Sequence, residues 1–275
     1  MHRFQVFSPP EELRDIVKNY FVTRVTEEGD LPTSTIVYPM NIPSLNFLSK
    51  QGIYQFTNPE GNRVQASAIT MIGQISCSRK IEFIQPGSII SVIFTPCGLN
   101  RLLRVNMNDI RDKAINPGEN IGVNHLEECR QQIFNANSLK ASLGRLNRFL
   151  NKWARKPEAV PGVIDKMAAL INKKKGNVNI DWLVCEANMS IKTFERHFEE
   201  KIGVMPKLFS RITRFAHAVK LLQSKVDIFS IIQDCGYTDH AHLIKEFRSF
   251  CNHTPKFYLN ENDETRFFFN HLVKD

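Results

Sequence analysis

Nothing in this chain is long and apolar enough to span a bilayer. Its longest strongly apolar stretch, Ile89-Ile90-Ser91-Val92-Ile93-Phe94, falls far short of the ~20 residues a membrane helix needs. The first residues, Met1-His2-Arg3-Phe4-Gln5, contain no apolar h-region, so no secretory signal is expected. Cysteine is sparse: six stand singly at 77, 97, 129, 185, 235 and 251, and no C-x-x-C occurs. That spacing supports neither a zinc ribbon nor a redox motif. An even count is compatible with disulfides, but a chain of 275 residues can build its core without them, so a soluble cytoplasmic protein is expected. Gly-rich phosphate loops, H-E-x-x-H and G-x-S-x-G are absent too. The expectation is no enzyme, no cofactor and no metal.

What is present is a foldable composition, 42% apolar and 23% charged, enough for one large or two ordinary domains. The net charge is +8, unevenly spread. Residues 1–156 hold 19 Lys/Arg against 13 Asp/Glu, which is +6; residues 157–275 hold 17 against 15, which is +2. A basic balance suits an anionic partner, but a solvated basic surface looks the same.

Ser8-Pro9-Pro10-Glu11 reads as a capping box, and Leu13, Ile16, Val17 and Tyr20 follow at helical spacing, so a helix is predicted there. From 33 to 95 the texture becomes strand-like. Short apolar runs at 36–38, 44–48, 53–56, 68–72, 81–84 and 89–94 are separated by Pro, Gly and Asn, which predicts an antiparallel barrel or sandwich. Phe47, Tyr54 and Phe56 either line a pocket or fill the core. Leu99, Leu102 and Leu103 begin a helix. Leu139, Leu143, Leu146, Leu150 and Trp153 then form a seam spaced 4, 3, 4, 3, either a dimerisation helix or a helix packed on its own barrel. Pro157, Pro161 and Gly162 mark a linker over 157–162.

Past the linker the chain reads as consecutive short helices, and a repeat emerges at a shift of 49. Ser190 falls on Asp239, Phe194 on Leu243, Arg196 on Lys245, Phe198 on Phe247, Gly203 on Asn252, Pro206 on Pro255 and Phe209 on Tyr258. Each copy is a short helix, a tight turn and a capped helix, followed by a stop signal: a helix-turn-helix, twice. A connecting helix over about 206–224 would span ~28 Å at 1.5 Å per residue. One turn of B-DNA is ~34 Å. The fold class is therefore α+β: a β-rich region over 1–156 that ends in helices over 125–155, the linker, an all-α region over 163–260, and a tail over 261–275.

These residues carry a resemblance. Residues 234–248, with Thr254-Pro255 and Tyr258, are similar to the AraC/XylS family of bacterial transcription regulators. The first copy matches through Met189-Ser190, Thr193-Phe194, Arg196, Phe198, Gly203 and Pro206, and the connecting helix through Arg214, Ala218, Leu221 and Leu222. Val184 and Ile232 replace a usual small Ala, and Asn188 and Asn252 replace a usual Gly. Asn tolerates the left-handed conformation, so both turns should survive. Phe94-x-Pro96-x-Gly98-x-x-x-Leu102-Leu103 is similar to a motif of sensor domains attached to this family, often a cupin-like barrel followed by dimerisation helices.

The resemblance implies an effector-responsive regulator, expected to be an activator, that inserts two recognition helices (about 191–201 and 240–250) into successive major grooves. Double-stranded DNA is the implied partner, with a homodimer expected and RNA polymerase and an unidentified small molecule left open. The alternative is a DNA-binding protein whose first region only dimerises or contacts proteins. DNA-repair methyltransferases share this DNA-binding half but need zinc-ligating cysteines near the N-terminus; here the first is Cys77. With Phe194 and Phe198 inward, Lys192, Glu195 and Arg196 face out, where family positions touch bases. Arg grips guanine O6/N7 and Glu accepts from cytosine N4. Ser190 sits at a helix N-terminus, whose free amides suit a phosphate, and Asp239, which caps the second helix, is counted with the DNA-binding residues. In the second copy His240, Ala241, Ile244 and Lys245 form the outward stripe, and its apolar members reach only a thymine methyl. His240 and His242, two apart, point to different faces and do not make a metal site.

Overall fold

The computed structural model describes residues 3–26, 31, 33–57, 61–118, 125–154 and 160–258. Residues 157–159 of the linker, the tail and the side chains of Phe257 and Tyr258 lie outside the described residues.

The N-terminal half folds into strands β1 (Arg3–Phe7), β2 (Val17–Val25), β3 (Thr33–Val37), β4 (Ser44–Leu48), β5 (Tyr54–Thr57), β6 (Arg63–Gln65), β7 (Ile69–Ile72), β8 (Arg79–Phe83), β9 (Gly87–Phe94) and β10 (Ala114–Ile115). They form two antiparallel sheets, ordered β1-β2-β9-β4-β7-β10 and β3-β8-β5-β6. All six strand-like runs of the sequence lie on or beside these strands. The helix expected after Ser8 does not form. A 3-10 turn at Glu11–Leu13 carries no side-chain cap, and β2 follows at once. The reason is that β2 is flanked on both edges, by β1 and β9, and is buried along nearly its whole length. Leu13, Ile16, Val17 and Tyr20 mimic a helical stripe, but they are inward positions of a turn and a doubly covered strand.

Helices α1 (Gly98–Leu103), α2 (His125–Phe134) and α3 (Leu139–Ala154) close one end of this half. Leu146 and Leu150 of α3 are fully buried in the main core with Leu45, Phe47, Val92 and Leu102. Leu139, Leu143 and Trp153 lie half-buried on the same core. The seam therefore packs on the chain's own barrel region, because its apolar face matches the apolar cap that the sheet leaves open. The outward residues of α3, Lys140, Ala141, Arg148 and Lys152, are exposed.

The helical half consists of α4 (Val163–Lys173), α5 (Ile180–Glu186), α6 (Ile191–Ile202), α7 (Pro206–Gln223), α8 (Ile228–Cys235), α9 (His240–Cys251) and α10 (Pro255–Tyr258). Among the described helices none is long and apolar enough to cross a membrane. The two halves are packed on each other. Arg101 of α1 lies between Asp15 (2.5 Å) and Asp165 of α4 (3.2 Å), its side chain 4% exposed. Asn41 Nδ2 donates to Phe209 O (2.8 Å) and Thr213 Oγ1 (2.9 Å) on α7. Tyr38 and Met40 of the β-rich half share a core with Phe215, Val219 and Phe247 of the helical half.

Candidate nucleic-acid interface

The two helix-turn-helix units are α5–α6 and α8–α9, and the same local devices build both. Ser190 Oγ accepts from Thr193 N (3.2 Å) and Asp239 Oδ1 from His242 N (2.8 Å), so both recognition helices start at the residues the repeat aligned. Each ends in a left-handed residue, Gly203 (φ 96°) and Asn252 (φ 59°). Asn188 (φ 51°) and Gly236 (φ 67°) make the turns between helices. An asparagine at two of these four positions keeps the conformation, because its short side chain tolerates it.

The connecting helix serves both units. Phe209 near its start packs edge-on against Phe198 (5.4 Å), and Phe215 meets Phe247 (4.9 Å) and Phe250 (5.1 Å). Its 18 residues span about 27 Å. Its polar face also holds the units at a fixed angle. Arg211 forks onto Glu246 of α9 (Nη2–Oε1 2.8 Å, Nε–Oε2 3.2 Å), with the Glu246 side chain only 8% exposed. Arg214 Nη2 donates to Gly176 O (3.3 Å), and its guanidinium lies over Tyr237 (5.7 Å). A Cβ on Gly176 would run into the backbone of Ser210, so the turn after α4 requires glycine to dock on α7. Burial in this core pushes the Tyr237 phenol well above its ordinary pKa.

With the inward stripes consumed by Phe194, Phe198, Leu243 and Phe247, the remaining faces point to solvent. Ser190, Lys192, Arg196, Asp239, His240, Ala241 and Lys245 are exposed; Glu195 and Ile244 are half-buried. Arg196 is 59% exposed and tethered along its own helix, Nη1 to Glu200 Oε1 (3.0 Å) and Nη2 to His197 Nε2 (3.0 Å). The sequence reading passed over Ile191. It is 50% exposed and four residues before Glu195, so it adds apolar surface to the same face. It also passed over the Arg211–Glu246 fork, whose one signal was a carboxylate at an inward position just before Phe247. Among the described residues no three His, Cys, Asp or Glu side chains gather as metal ligands.

A family described as "Helix-turn-helix domain" matches residues 183–261, and a "Domain of unknown function (DUF6597)" matches residues 5–116. An uncharacterized HTH-type transcriptional regulator of Haemophilus influenzae is 30% identical over 93 residues, 34% of this chain. The chain spans about a third of that relative's length, 31%. Among solved structures, ToxT from Vibrio cholerae is 14% identical with a TM-score of 0.47, covering 99% of both chains. A second ToxT structure, described as unsaturated fatty acid bound, is 12% identical with a TM-score of 0.47, covering 95% of this chain and 96% of that one. The AraC-like transcriptional activator CuxR is 12% identical with a TM-score of 0.29, over 82% of this chain and 95% of that one. Residues 183–261 therefore form a helix-turn-helix domain, built as two capped units on one connecting helix.

Proposed function

We propose that the helical half, residues 163–260, reads double-stranded DNA by laying α6 and α9 into successive major grooves, and that the half formed by residues 1–156 makes this binding respond to a small molecule. One observation carries the first part. Two recognition helices with free outward faces hang from one rigid helix of about 27 Å, close to the ~34 Å repeat of the duplex. Lys192, Glu195 and Arg196 would read bases in one groove. His240, Ala241, Ile244 and Lys245 would read the other with fewer hydrogen bonds. Ser190 sets the N-terminus of α6 against a phosphate, and Asp239 caps α9 at the same place on the second reading face.

Arg196→Ala tests the docking. Against a site selected from random DNA, it should cost ~1–3 kcal/mol and relax one base position in a gel-shift series. Unchanged affinity and preference would show that α6 does not enter the groove. Salt gives a second check. The +2 balance of residues 157–275 implies few phosphate contacts, so affinity should fall only modestly with salt. A slope equivalent to ten or more phosphates would contradict this.

The effector reading rests on a cavity of about 410 Å³ beside the two sheets. Its body is apolar, with Val37, Tyr54, Phe56, Ile72, Ile75 and Ile81, and Arg79, Arg111 and Lys113 stand among its walls with a single acid, Asp112. Such a cavity suits an apolar molecule with one anionic head. Of the aromatics that sequence left between pocket and core, Tyr54 and Phe56 line it, while Phe47 is fully buried in the main core. Pairing of two chains through α3 would use the half-buried edge formed by Leu139, Leu143 and Trp153.

A further inference from the structure

The acid in that cavity wall is bound in an unusual way. Asp112 Oδ1 accepts from Ser76 N (2.7 Å) and its Oδ2 from Ser76 Oγ (2.7 Å). The same carboxylate lies 3.5 Å from Arg79 Nη2 and 3.6 Å from Arg111 Nε. Its backbone N donates to Gln74 O (2.8 Å), and it sits in the left-handed region at φ 57°. A Cβ on Gly73 would run into the backbone of Ile110, so the two segments lie in close contact. The segment 110–113 is thus laced onto the loop between β7 and β8.

That loop has a second attachment. Ser78 N donates to Phe250 O (2.7 Å), in the last turn of α9. The equivalent end of α6 is held elsewhere, where Met107 N donates to Glu200 O (2.9 Å). Among the described residues, the backbone bond within two residues of Ser76 ties this wall to α9, whereas α6 is tied at Met107, three residues before Ile110.

We propose that Asp112 stands in for the anionic head of the small molecule, and that replacing it on Arg79 and Arg111 moves the 73–79 loop and, through Ser78, resets α9 relative to α6. The mechanism follows from competition. The two arginine contacts of Asp112 are long for charge-assisted bonds, which run to about 2.7–2.9 Å when well formed. A mobile carboxylate or phosphate that approaches Arg79 and Arg111 closely takes both from Asp112. The carboxylate of Asp112 then repels the newcomer, and the Ser76 bonds that fix the loop are strained or lost. Because α9 carries half of the reading surface, the spacing of the two reading heads changes without any change in their residues. The ligand step rests on the effector reading above; the mechanical link from Asp112 to α9 does not.

The test is amide hydrogen exchange on the full chain, comparing wild type with Asp112→Asn, Ser76→Ala and Asp112→Ala. Each variant should raise exchange at least threefold in 74–79 and in the last turn of α9, with α6 unchanged. Faster exchange in 74–79 with α9 unchanged overturns the link. A rise spread evenly over the chain would be global destabilisation and overturns it equally; the near-isosteric Asp112→Asn keeps the test open should Asp112→Ala fail to fold. In a separate arm, calorimetry with dodecanoate, and with dodecanol as uncharged control, reads the stand-in role. Dodecanoate should bind, Asp112→Asn should bind it at least threefold more tightly, and dodecanol should bind both proteins alike. Binding of dodecanoate with no change in the variant overturns the stand-in role. No binding to either protein sinks the effector reading and the stand-in role with it, while the exchange result still decides the mechanical link.

Discussion

Leu146→Glu should unfold the N-terminal half rather than release folded monomers. Leu146 is fully buried among Leu45, Phe47 and Leu150, so the variant places a carboxylate where no water reaches. Losing the leucine contacts costs ~2–5 kcal/mol, and a buried unpaired charge adds several more. A domain holds only about 5–15 kcal/mol in total. Circular dichroism should show lost strand signal and near-ultraviolet structure, and Leu146→Met, which conserves volume, should stay folded with a loss below ~1.5 kcal/mol. A folded Leu146→Glu that sediments as a monomer, from a dimeric wild type, would return the seam to a subunit interface.

The second large effect is expected at Arg101. Its guanidinium is nearly sealed from solvent and joins Asp15, whose side chain is 49% exposed, to Asp165, which is 14% exposed. Arg101→Leu leaves Asp165 without its cation at the junction of the halves. Breaking a buried pair costs about 3–5 kcal/mol, and the exposed Asp15 adds little to that. Differential scanning calorimetry should show the unfolding transition lowered by on the order of 10 °C, splitting in two as the halves lose their shared transition. Arg101→Lys should recover only part of this, since an ammonium cannot present the same fork. A variant that melts as one unchanged transition would show that the apolar contacts of Tyr38, Met40 and Phe215 alone join the halves.

The helical half was legible because its signals are local. A cap such as Ser190, two phenylalanines four apart and a terminal Gly203 sit within fourteen residues of each other, and each fixes a conformation by itself. The β-rich half was less so. The capping box at Ser8 competes with pairing partners of β2 that lie far along the chain at β9, and no window of sequence displays that competition. Strands β1, β6 and β10 escaped for a related reason. β6 is three exposed residues at a sheet edge and β10 only two residues, so neither carries an apolar run. The seam of α3 was visible as apolar, but periodicity states that a face is covered and not by what. The polar cluster in the cavity wall was the least legible of all. Ser76, Arg79 and Asp112 meet across more than thirty residues, and nothing in their spacing marks them.

In the proposed docking, two helices of one chain read one face of the duplex about a turn apart. This docking is tested most directly by methylation-protection footprinting of the full chain on a site selected from random DNA, since dimethyl sulfate reports guanine N7 in the major groove. Two protected blocks should appear with centres ~10 base pairs apart; Arg196→Ala should weaken one block and Lys245→Ala the other. A single protected block, or two blocks that both variants weaken equally, would contradict the account.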